Sequence, residues 1–168
     1  MATLLTFFQW LESTRGSVAL HESEYMYPFI ESIHVLTLCL FMGLVIMLDF
    51  RLTGLALRRV PVSEVVHRVL PWAIAGFVVM VITGVLLVYA IPVRTFQNVF
   101  FRVKVVLLML AGLNVWVFHW TVFRRVDGWD LANVTPKAAK LAGTFSLVLW
   151  TGIILAGRMI AYNWFDPQ

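Results

Sequence analysis

Charge is scarce in this sequence. Only 13 Lys and Arg and 9 Asp and Glu occur among 168 residues, 13% of the chain, against about 25% in ordinary globular domains, which is too little to cover a water-soluble surface. Cysteine is scarcer still. The single Cys39 excludes an internal disulfide framework, and no CxxCH, P-loop, HExxH, GxSxG or Cys-rich finger spacing occurs. Those absences exclude covalent haem attachment and the common signatures of nucleotide hydrolases, zinc peptidases and serine hydrolases. Internal repeats, low-complexity tracts and linker-like stretches are also missing, so residues 1–168 read as one domain. Nor are there the short alternating segments from which membrane barrels are built. The net charge of +4 is not gathered into a basic, aromatic-interleaved groove, so nucleic acid is not an expected partner.

Hydrophobicity is what the chain has in excess: 61% of its residues are apolar. A spanning helix needs about 20 mostly apolar residues, and four segments qualify, at 29–48, 70–91, 99–122 and 138–161. Their short connections make sequential neighbours antiparallel. The expected fold is therefore all-α, an integral membrane four-helix bundle in contact with the lipid bilayer. Ahead of it, MATLLTFFQWLESTRG lacks the basic n-region and cleavage pattern of a signal peptide. Leu4, Phe7, Phe8 and Leu11 share a helical face there, so a short N-terminal interfacial helix is expected, lying at headgroup level with Trp10 or packing on the bundle.

Orientation follows from the basic residues. Arg51, Arg58, Arg59, Arg68, Arg124, Arg125, Lys137 and Lys140 lie in the loops after spans one and three, eight of the thirteen. The positive-inside rule makes that side cytoplasmic and places both termini on the periplasmic side. Small residues mark expected helix contacts: Cys39 with Gly43, Ala73 with Gly76, Thr83 with Gly84, and Gly152, Ala156 and Gly157.

Polar residues within the spans are the candidates for function, because an ionisable group in the bilayer centre costs roughly 2.5 to 3.5 kcal/mol and tends to face a partner. Glu31 and His34 are three apart and share a face of span one. Lys104, Arg158, Tyr162 and Asn163 are matched to them in depth. One reading is structural, an ion pair of Glu31 with Arg158 or Lys104 and a hydrogen-bonded His34. Another makes His34 an axial ligand of haem b, with Lys104 and Arg158 suited to its propionates and His21, Met26 or Met159 as possible second ligands. On the inner side His67 and His119 can reach one depth, giving a bis-histidine alternative; of the two, His119 lies on the more rigid helix. His67 also reads as an ordinary residue of a helix start capped by Ser63, and His119 as part of an aromatic belt with Trp120. A third reading gathers His21, Glu31 and His34 around copper or zinc; otherwise His21 lies in a solvated loop. Asp127 and Asp130, beside Gly128, read as turn chemistry.

The runs YPFIESIHVLTLCLFMGLVIMLDFRLTGL, LPWAIAGFVVMVITGVLLVYA, FFRVKVVLLMLAGLNVWVFHW and SLVLWTGIILAGRMIAY resemble a widespread family of four-span bacterial inner-membrane proteins of unknown function. More distantly, the His in span one, the TG in span two and the Lys in span three are similar to the copper-resistance D group, whose members have eight spans. That likeness implies that His34, Thr83, Gly84 and Lys104 belong together near the outer face, and it brings no catalytic residue with it. The functional expectation is a b-type haem redox or electron-transfer protein working between a quinone or periplasmic donor and a partner membrane subunit, the chain supplying ligands and dielectric. A non-catalytic subunit or homo-oligomeric scaffold and outer-face copper handling are the alternatives.

Overall fold

The computed structural model describes residues 2–130 and 135–162, and within them every regular element is helical. Four helices are long and apolar enough to cross a membrane: α3 (Met26–Thr53), α4 (Val62–Ala90), α6 (Val99–Thr121) and α7 (Lys137–Met159). Three short helices accompany them, α1 (Ala2–Glu12), α2 (Arg15–Glu22) and α5 (Pro92–Gln97), together with a 3-10 turn at Phe123–Gly128. The expected all-α membrane bundle is the fold observed.

Two boundaries differ from expectation. Span one continues past Leu48 to Thr53, where Gly54, at φ +79°, ends it in the left-handed conformation and its N–H returns to the Arg51 carbonyl. Span two begins at Val62 and runs through Pro71. A proline removes one N–H from the helical ladder, and here the preceding two turns are held to the bundle instead by buried Val62, Val65 and Val69, spaced along one stripe.

Helix α3 is central. It packs against α4 and α7, and α7 packs against α6, whereas α4 and α6 form no extended interface among the described residues. The bundle is thus a ring closed on three sides. Its midplane core joins Phe41, Met42, Met80, Ala111, Leu149, Trp150 and Ile153, with Phe41 and Trp150 edge-to-face at 4.8 Å, a geometry worth about 0.5 to 1.5 kcal/mol beyond its area. Toward the end of the bundle away from the N-terminal helices, called the inner end by the orientation expected above, α7 comes close enough to α3 that a Cβ on Gly143 would lie 3.2 Å from the Asp49 carbonyl oxygen. Cys39 and Gly43, expected as a packing pair, face away from the bundle: Cys39 is exposed and nothing approaches within 4 Å of a Cβ built on Gly43. Lipid-facing positions impose no size limit, so small residues alone do not reveal which face is packed.

The N-terminal helices close the outer end. Phe8 of α1 stacks on Phe96 of α5 at 4.5 Å, the Thr14 and Tyr89 hydroxyls are 2.7 Å apart, and the Ser17 hydroxyl donates to the Tyr89 carbonyl at 2.7 Å. Leu4, Phe7 and Trp10 remain exposed on the other side of α1, so the segment both packs on the bundle and presents an apolar face outward.

Candidate functional site

His34 is the residue around which the outer half of the bundle is arranged. Its Nδ1 lies 2.8 Å from the Thr83 hydroxyl of α4. That hydroxyl has one hydrogen, directed back along its own helix to the Val79 carbonyl at 2.7 Å, so toward the ring it can only accept. The Met80 carbonyl is a second acceptor beside the ring. Together these make Nδ1 the donor, and in the neutral ring Nε2 then carries the lone pair. Gly84 follows Thr83 against the same ring: a Cβ there would lie 3.3 Å from His34 Cε1, so the missing side chain is what admits the imidazole.

Lys104 of α6 reaches the same region, within Coulombic range of His34. Its side chain lies along Gly157 of α7, where a Cβ would be 3.5 Å from Nζ. Among the described residues it makes no hydrogen bond or ion pair. Each of the four long helices therefore supplies one element of the cluster, two bearing a base and two opposing it with a glycine.

Glu31 and Arg158, expected to complete this cluster, are both exposed. Three residues along a helix is about 300° of rotation, so Glu31 sits some 60° off the His34 direction and one turn nearer the outer surface. Arg158 is turned along its own helix to the Tyr162 hydroxyl at 3.3 Å. Asn163 lies outside the described residues. His21 is exposed on α2, and no group of three or more His, Cys, Asp and Glu able to hold a metal is present among the described residues, so His21, Glu31 and His34 are not assembled into one. On the inner side His67 and His119 are both exposed. His67 lies in an open depression with Ser63, Glu64 and Arg68, and His119 stacks on Phe123 at 5.4 Å.

The inner end holds polar residues whose partners are remote in sequence. Arg51, counted above as a loop charge, is buried in the last turn of α3 at 3% exposure, donating to the Val60 carbonyl at 2.6 Å, the Thr135 hydroxyl at 3.3 Å and the Asp130 carbonyl at 3.3 Å. The Asp130 carboxylate accepts from the Ser63 N–H at 2.9 Å and from the Ser63 hydroxyl. The cap of α4 is thus Asp130 rather than Ser63, and Asp130 is more than a turn residue. Burial, the largest single influence, pushes the Asp130 carboxyl up; hydrogen bonds from Ser63 and Val62 and the Arg51 charge outweigh it and hold the group below its ordinary value. Asp127 belongs to the 3-10 turn, its side chain outside the described residues. Asp49, one residue beyond the expected end of span one, is 4% exposed. It faces Ser146, and its Oδ2 has no hydrogen-bond partner. The signal for it is the carboxylate in LDFRLTG, at the end of the apolar run.

Four apolar helices around an internal polar cluster define a multi-pass membrane protein of the all-α class. The chain belongs to a family of unknown function, DUF6644, whose model matches residues 7–163. No curated protein and no solved structure matches it.

Proposed function

We propose that the chain is a b-type haem protein of the bacterial inner membrane, with both termini periplasmic, that passes single electrons between a quinone or periplasmic donor and a partner membrane subunit. The observation that carries this reading is the hydrogen bond of His34: Nδ1 lies 2.8 Å from the Thr83 hydroxyl, which leaves Nε2 of the neutral ring as the nitrogen able to ligate. Histidines that ligate metals are held in this way, one nitrogen hydrogen-bonded and the other presented. The donor set therefore fits: His34 would supply a nitrogen to the iron and Lys104 would be the base beside it for a propionate. Haem bound there supplies a one-electron couple. The chain's own part is to fix the imidazole tautomer, keep the ligand away from water and set the local dielectric.

The visible spectrum of the purified protein tests this. Soret and α bands that disappear in His34→Ala are the expected result; bands lost instead in His119→Ala move the site to the inner side, where His67 and His119 would serve. A colourless protein after expression with ample haem supply returns the chain to the scaffold reading. Copper handling on the outer face rests on the copper-resistance D resemblance, and metal analysis of the same preparation decides it.

A further inference from the structure

The charge balance of the outer cluster points beyond an axial ligand. Lys104 brings an ammonium to the inside of the bundle, its hydrocarbon stem laid along Gly157, with neither hydrogen bond nor ion pair among the described residues. The ionisable group beside it is an imidazole rather than an acid. Glu31 is turned outward, and Asp49 lies fifteen residues beyond His34 on α3, about 22 Å from it at 1.5 Å per residue. The neighbours of Lys104 on its own helix face are Phe100, Phe101, Leu107 and Leu108. A cation held among apolar groups, with no counter-charge among the described residues, is a binding feature suited to an anion. A single ammonium matches one carboxylate better than it matches a phosphate dianion, which draws on several donors. Of the sides of the ring, the one between α4 and α6 has the least helix packing among the described residues, so entry from the bilayer is placed there.

We propose that Lys104 anchors the carboxylate of an apolar ligand that enters the outer half of the bundle from the membrane between α4 and α6. That carboxylate can belong to a free lipid-soluble acid or to a propionate of the haem; the second source rests on the haem reading above and the first does not.

Two matched pairs of probes separate these sources in the purified full-length protein: nitroxide-labelled stearate against its methyl ester, and haem against haem dimethyl ester. Wild type is expected to hold the acid of at least one pair about tenfold or more tighter than the ester. Lys104→Met and Lys104→Gln lose that preference, and Lys104→Arg keeps it. The pair showing the preference identifies the source. If neither haem nor its ester binds, the haem reading fails by itself and the stearate pair still decides the inference. Equal binding of acid and ester in both pairs overturns it on wild type alone, whatever the folding of the variants. An acid preference that persists in Lys104→Met overturns it as well.

Discussion

Replacing Thr83 by Val removes one oxygen and changes almost nothing else in shape. In the native bundle that oxygen accepts from His34 Nδ1–H at 2.8 Å while passing its own hydrogen to Val79. The Val79 carbonyl keeps its place in the helical ladder when the hydroxyl is gone, so the loss falls on the imidazole. A net hydrogen bond is worth about 0.5 to 1.5 kcal/mol, and a buried donor left without a partner costs about 1 to 3 kcal/mol; as the ring is only partly buried, the lower half of that range, about 1 to 2 kcal/mol, is expected. Thermal or denaturant unfolding in detergent measures it. Val and Thr are both β-branched, so helix propensity contributes little to the difference. The His34→Phe background supplies the control, since Thr83→Val should cost much less once the imidazole is absent. In a haem-loaded preparation the same change should weaken haem retention by roughly 10- to 100-fold, the usual effect of losing the group that orients a ligating histidine. An equal cost of Thr83→Val with and without His34 would refute the assignment of the Nδ1 hydrogen.

The remaining expectations concern the two ends of the bundle. A periplasm-active reporter fused after Gln168 should be active, and activity only in a cytoplasmic reporter reverses the topology. Because the native Asp130 carboxyl sits below its ordinary value, its contribution is complete above the unfolded value of about 4 and is lost as pH falls through the lower native one. Asp130→Asn should therefore lower stability near pH 7, by about 0.5 to 2 kcal/mol as for other helix caps, and narrow the gap to wild type toward pH 3; a gap that stays constant over that range contradicts the cap. Glu31→Gln and Arg158→Met should combine additively in a detergent stability assay, since both side chains are exposed, and a coupling above about 1 kcal/mol would restore the ion pair that the geometry lacks.

The spans were legible because each run of about 20 apolar residues has one solution in lipid. Their ends were not. The span expected from residue 70 gains two turns from the stripe Val62, Val65, Val69, and Asp49 fell just past the expected end of span one because its burial against α7 depends on Gly143, more than ninety residues away in sequence. The structure sets Thr83 and Gly84 against the His34 ring, with Lys104 in the same region, whereas matching depth along a helix did not bring Glu31 and Arg158 to that face, because depth carries no information about rotation. The Asp130 contact with Ser63 joins positions 67 apart. No local pattern encodes it, and only the return of the chain to the same end of the bundle brings the two together.

That separation sets an order of assembly. Arg51 leaves the ribosome 79 residues before the Asp130 carbonyl it donates to, which at about 5 to 20 residues per second amounts to several seconds of translation. During that interval only the Val60 carbonyl among its three acceptors has been made, and the guanidinium is available to bias insertion of the first hairpin like any other flanking arginine. Once the third span and the turn after it have arrived, the same charge is withdrawn into the protein and α4 receives its cap. On this order Arg51 is expected to act first on topology and later on closure, and chains arrested before residue 130 should leave it open to guanidine-directed reagents that the finished protein excludes.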